Sequence, residues 1–220
     1  MKTLCHPTMT RRGVTLLEVL IVIATVVLLV SLVIPIWGAA RQHAQRINCV
    51  SNLKQISVGF RLWANDNNDK FPWELTPEQG GARNEPLPTL AARSFGLTSN
   101  ELNTPKLLVC PSDRQRVRAT NWVIGNANVS YFVGVGASMS NAAAILTGDR
   151  NLLGNGQRQA PGRHNLARFK QLSFDADLHN RVGNLGLADG TVQETTDAGL
   201  NHQVQAAIAV GETNVLIATP

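Results

Sequence analysis

The chain has 220 residues, with 20 Lys and Arg against 15 Asp and Glu for a formal net charge of +5, and aromatic residues make up only 5% of it. Three of the five excess positive charges, Lys2, Arg11 and Arg12, precede an apolar run at the amino terminus. The rest of the chain is close to neutral and lacks the clustered basic patch with aromatic platforms that nucleic-acid binding requires, so no nucleic-acid partner is expected. The remaining basic group, Arg114, Arg116 and Arg118, reads as a solvated loop or strand face. About 180 residues beyond the apolar run suffice for one domain with its own core.

From Val14 to Trp37 the sequence is apolar except for Thr15, Glu18, Thr25, Ser31 and Pro35. As a helix rising ~1.5 Å per residue, this stretch spans a hydrocarbon core of about 30 Å. The basic residues ahead of it keep the amino terminus cytoplasmic by the positive-inside rule and send the rest outward, with Arg41 and Arg46 weighing slightly against. Glu18 is the anomaly, because an ionised carboxylate at membrane depth costs about 2.5–3.5 kcal/mol. A cleaved secretory signal ending at Gly38-Ala39-Ala40, a twin-arginine signal at Arg11-Arg12 and a plain single-pass anchor each account for part of the pattern. None of them explains Glu18 together with the glycine before Val14.

Gly13 followed by Val14-Thr15-Leu16-Leu17-Glu18 resembles the prepilin cleavage and methylation motif of type IV pilins and type II secretion pseudopilins. The resemblance implies a leader over residues 1–13, cleavage after Gly13 by a prepilin peptidase and methylation of the Val14 amine, although phenylalanine is the commoner first residue. It implies a transmembrane helix over 14–37, with Pro35 where the family often carries a helix-bending proline. It also makes Glu18 the assembly contact, its carboxylate set against the terminal amine of a neighbouring subunit. The implied partners are the prepilin peptidase, other pilin or pseudopilin subunits, an inner-membrane assembly platform and the membrane itself. The implied role is a structural, non-enzymatic subunit in the inner membrane with its carboxy-terminal domain outside the cytoplasm. The alternative is a membrane-anchored extracytoplasmic binding or hydrolytic domain that uses the segment only as an anchor.

Beyond Trp37, Ile47, Val50, Leu53, Ile56, Phe60 and Trp63 recur at intervals of three and four, which predicts an amphipathic continuation of the helix over 38–65. The side chains of Asn65-Asp66-Asn67-Asn68-Asp69 compete for backbone hydrogen bonds and end it. The expected fold class is α+β, a long helix packed on a small antiparallel β-rich domain over 66–220, pilin-like in outline. Residues 66–106 read as irregular with one short helix at 87–95. Strands are expected at 107–110, 121–124, 129–135, 144–147, 172–174, 185–188 and 191–194, a loop at 151–163, a short helix at 203–210 and a closing strand at 214–219. Asp189-Gly190 between two apolar or β-branched runs predicts a hairpin turn.

If the leader is removed Cys5 goes with it, leaving Cys49 and Cys110 as a pair. In an oxidising compartment a disulfide is the favoured state over two free buried thiols, worth roughly 4 kcal/mol at most on the chain-entropy model. Near the carboxy end, His179 and, after nine intervening residues, Asp189-Gly190 resemble the His-x9-Asp-Gly signature that follows a pilin-like anchor in a large group of bacterial proteins. His164, Asp175, Asp177, His179 and Asp189 are residue types used in metal and acid/base sites, but their spacing matches no metal motif, and structural hydrogen bonding is the expected role. No catalytic or metal-ligating residue is assigned. Calcium, which major pseudopilins often hold near their C-terminal strands, is the one cofactor the resemblance brings forward.

Overall fold

Thr15 starts the architecture with a reciprocal cap. Its hydroxyl accepts from the Glu18 backbone N–H at 3.3 Å, and the Glu18 carboxylate accepts from the Thr15 N–H at 3.4 Å, the pattern of a Thr-x-x-Glu capping box. Helix α1 then runs from Leu16 to Asp66 as one α-helix. The structure is a computed structural model that describes residues 13–86, 89–209 and 215–220. The leader residues 1–12, including Cys5, Arg11 and Arg12, lie outside the described residues, as do positions at the edges of the expected elements at 87–95, 203–210 and 214–219.

The chain divides into two units, one ending at Arg41 and one from Gln42 to Pro220. In the first, Leu16–Ile34 is the one stretch among the described residues long and apolar enough to cross a membrane. Its side chains are exposed. In the second, α1 changes character as its periodicity predicts. Cys49, Leu53, Ile56, Phe60 and Ala64 are fully buried, spaced by three or four residues on one face, whereas Ile47, the first residue of the expected stripe, is exposed. The helix ends at Asp66, and Asn68 and Asp69 take positive φ to turn the chain.

The second unit carries two antiparallel sheets. The larger is built from β1 (Tyr131–Val133), β2 (Ile145–Asp149), β5 (Gly162–Asn165), β7 (Gly183–Leu187), β8 (Val192–Thr195) and β9 (Leu216–Thr219), in the order β5-β9-β1-β2-β7-β8. The smaller joins β4 (Gln157–Arg158), β3 (Leu152–Gly154) and β6 (Leu172–Phe174). Helix α2 (Leu90–Leu97) sends Phe95 against Phe60 of α1 at 5.4 Å, and Phe60 meets Trp73 edge-on at 5.2 Å. Helix α3 (Asp197–Ala209) contributes Leu200, Val204 and Ala207 to a second core with Phe132, Leu172, Phe174 and Leu185. The fold is therefore α+β, with antiparallel sheets.

Several expected elements differ. Residues 107–110 are not a strand: Pro105–Leu108 forms a 3-10 helix, with Pro at its start and the Thr104 hydroxyl accepting from the Lys106 N–H at 3.4 Å. Residues 121–124 are irregular, and the Gly- and Gln-rich stretch 151–163 holds β3, β4 and the start of β5, strands of two to four residues that turn chemistry conceals. The Asp189-Gly190 hairpin forms between β7 and β8. Gly190 has φ +85°, and Asp189 Oδ1 accepts from both the Thr191 N–H and hydroxyl at 2.7 Å. That turn sits on α1, where Lys54 Nζ donates to Gly190 O at 2.6 Å and Arg61 to Ala188 O at 2.5 Å. Gly186 of β7 lets strand and helix close up, since a Cβ there would stand 2.6 Å from Ser57 Oγ.

Candidate functional site

Four separate segments deliver polar groups to one buried point. Cys49 comes from the buried face of α1, at the end of the stripe nearer the amino terminus. Cys110 follows the 3-10 helix and opens a tight turn in which the Asp113 N–H donates to Cys110 O at 2.9 Å. Asp149 ends β2, directly opposite Tyr131 of β1 in the ladder, so both side chains leave the same face. His179 lies on the loop between β6 and β7, which Asn180 and Arg181 turn at positive φ. The Asn151 side-chain amide holds both ends of that loop, donating to Asp175 O at 3.0 Å and Val182 O at 3.4 Å.

At the centre Cys49 Sγ stands 3.2 Å from the Tyr131 hydroxyl and 3.3 Å from Asp149 Oδ1, while Cys110 Sγ is 3.4 Å from His179 Nε2. His179 Nε2 is also 3.5 Å from Asp149 Oδ2, which accepts from the Asn184 backbone N–H at 2.9 Å and its side-chain amide at 2.8 Å. Cys49, Cys110, Tyr131 and Asp149 are fully buried, and the His179 side chain is 2% exposed. The expected disulfide is not formed: both cysteines are free thiols. They are brought together, and each sulfur also has polar partners of its own, Tyr131 and Asp149 for Cys49 and His179 for Cys110.

Burial pushes the Cys49 thiol up, and its hydrogen bond to the neighbouring sulfur adds to this. That same bond draws Cys110 down to about 5 against burial, with His179 assisting. Burial opposes a charged His179, but the Cys110 hydrogen bond and the Asp149 carboxylate outweigh it and raise the imidazole. Burial lifts Asp149 to about 7 despite the His179 charge nearby. The pair Cys110 and His179 is thus biased toward charge, while burial biases Cys49 and Asp149 toward keeping their protons. Closed off from solvent, the cluster offers no room for a substrate. The sulfurs of Cys49 and Cys110 and a ring nitrogen of His179 all lie within 4.8 Å of one another, which makes them the residues that could hold a metal.

The other residues singled out in the sequence fall elsewhere. Asp189 and Gly190 serve the hairpin turn, and no hydrogen bond or ion pair among the described residues joins them to His179. Asp175 and Asp177 pair with Arg158, and Gln115 also donates to Asp177 at 2.7 Å. These two carboxylates share the one guanidinium. His164 on β5 is bonded to Ala160 O at 2.7 Å. At the amino end Gly13 and Val14 precede α1 and Val14 is exposed, while Glu18 is engaged in the cap. Sequence reasoning missed Asp149 and Tyr131. They stand 100 and 82 residues from Cys49, and only the strand pairing brings them to it.

No family model, no curated protein and no solved structure matches the chain.

Proposed function

We propose that the chain is a structural subunit of a type IV pilus-like or type II secretion pseudopilus filament, cut after Gly13, methylated at Val14 and assembled through its apolar helix. The observation that carries this reading is the continuity of α1. A single helix from Leu16 to Asp66 holds an exposed apolar stretch, Leu16–Ile34, and farther along a stripe buried in the core of the second unit. An apolar surface of that extent requires lipid or other copies of itself to cover it. The leader motif and Glu18 supply the rest of the argument. Prepilin peptidase, sister subunits, an assembly platform and the inner membrane are the partners this role entails, and the function is mechanical rather than catalytic.

Two experiments test it. Intact mass and amino-terminal sequencing of the membrane-extracted protein should give a chain beginning at methylated Val14; a chain beginning at Met1 or after Ala40 refutes processing. The Thr15–Glu18 cap provides the second. Glu18→Gln keeps a side chain able to complete the capping box but removes the charge. If Glu18 meets a neighbour's amine, both Glu18→Gln and Glu18→Ala abolish filament yield while the chain still inserts in the membrane. If Glu18 is only a cap, Glu18→Gln assembles normally.

One observation favours the second reading, a membrane-anchored binding domain. A recess of about 600 Å³ has three cations in its lining, Lys70, Arg83 and Arg163, beside the Trp73 ring, the Glu74 carboxylate, Asn84 and the apolar Val135 and Leu216. A chain that keeps its first residues and forms no filament would support that reading.

A further inference from the structure

We propose that Cys49, Cys110 and His179, with Asp149 as fourth ligand, hold one structural zinc ion in the core of the second unit. The inference goes beyond the filament reading and does not depend on it.

Geometry carries the argument. Three donor atoms mutually within 4.8 Å leave a point no more than about 2.8 Å from each, and zinc bonds of about 2.3 Å to sulfur and 2.0–2.1 Å to nitrogen need a contraction of at most about 0.5 Å at each sulfur and about 0.8 Å at the nitrogen. Tetrahedral zinc sets neighbouring donors about 3.3–3.8 Å apart. The Cys110–His179 separation of 3.4 Å and the Cys49–Asp149 Oδ1 separation of 3.3 Å already have that spacing. Asp149 stands 3.3 Å from Cys49 Sγ through Oδ1 and 3.5 Å from His179 Nε2 through Oδ2 but lies outside the set of three mutually close donors, so it is the ligand that moves farthest. Its Oδ2 stays anchored by the Asn184 N–H groups at 2.8 and 2.9 Å.

The donor set selects the ion. Two thiolates and an imidazole favour zinc or copper(I), and a carboxylate in a tetrahedral set turns the choice to zinc. On binding, the protons held on the ligating atoms of Cys49, Cys110, Asp149 and His179 go to solvent, and no electron is transferred. Two thiolates and one carboxylate leave the zinc complex with one net negative charge. The Tyr131 hydroxyl at Cys49 and the Asn184 amide at Asp149 are donors placed to spread it. With every ligand buried, the site is of the closed, structural kind with no position for substrate. It explains why residues of four segments converge on one buried point, and it joins α1, the 110–113 turn, β2 and the His179 loop without a disulfide.

The test uses the full chain extracted in detergent under argon with a phosphine reductant and no chelator, with a parallel sample alkylated at lysis. Metal analysis and native mass should show one zinc per chain. After replacement by Co²⁺ alone, the spectrum should show a near-ultraviolet thiolate-to-cobalt band and the visible bands of tetrahedral cobalt. Cys49→Ser, Cys110→Ser and His179→Asn should each lose the ion, and Asp149→Asn should weaken binding about 10–100-fold. Where a ligand variant does not fold, the cobalt spectrum of the unaltered chain decides alone. The proposal fails if reduced protein carries no zinc and gives no thiolate band, if zinc persists in both cysteine variants, or if the alkylated sample shows the two-hydrogen mass loss of a Cys49–Cys110 disulfide.

Discussion

Two buried carboxylates in this chain meet opposite fates within a few ångströms of backbone. Asp113 and Cys110 belong to one tight turn, and Asp149 and Arg150 are consecutive at the end of β2, so the same two segments build two polar clusters side by side. Asp113 receives Arg150 in a two-pronged contact at 2.7 and 2.8 Å, plus the Ser130 hydroxyl at 2.8 Å. Burial pushes its carboxyl up, but the guanidinium and the hydroxyl overcome this and hold it below the usual carboxylate range. Asp149 meets a thiol and an imidazole instead, and burial prevails, lifting it to about 7. A carboxylate buried with a fixed cation is a fastener, whereas one buried with titratable neighbours is a site whose charge depends on what joins it.

The largest test of this contrast removes the cation. Arg150→Ala leaves Asp113 buried without its partner and should cost about 3–5 kcal/mol, read from urea unfolding of the detergent-extracted chain; a loss below about 1 kcal/mol would mean that water or another cation replaces the guanidinium. Next comes pH. Because the folded state lowers the Asp113 pKa, its contribution is complete above the unfolded value of about 3.9 and is lost as pH falls through the lower folded value. Urea midpoints should therefore drop below about pH 4, and Asp113→Asn should flatten that drop. Ser130→Ala removes one hydrogen bond to a charged group and should cost about 1.5–3 kcal/mol. Smallest is Asp149→Asn in the presence of chelator at pH 6, where the carboxyl already holds its proton: about 1 kcal/mol or less is expected. A cost equal to that of Arg150→Ala would show Asp149 to be ionised and paired after all.

The legibility of these clusters in the sequence follows the range of the forces that make them. The buried face of α1 from Leu53 to Trp63 and the Asp189-Gly190 hairpin were readable because helical period and turn chemistry act within a few residues. The apolar run Leu107-Leu108-Val109 misled because Pro105 and the Thr104 cap decide its backbone before any strand partner can. β3 and β4 were hidden because two- and three-residue strands carry no alternation. The convergence on Cys49 was half visible. Two cysteines suggest a pair, but nothing local ties them to His179, 69 residues beyond Cys110, or to an Asp that lies opposite a Tyr only through the β1–β2 register.

The Asp189-Gly190 turn has a mechanical side. Lys54 and Arg61 are two helical turns apart, about 10 Å along the axis, and grip carbonyls two residues apart on the hairpin, at Gly190 and Ala188. A load drawn along α1 falls on both charged grips at once, and Gly186 against Ser57 leaves the strand no slack in which to slide. Loaded along the helix axis, the two bonds would be sheared together rather than peeled one after the other.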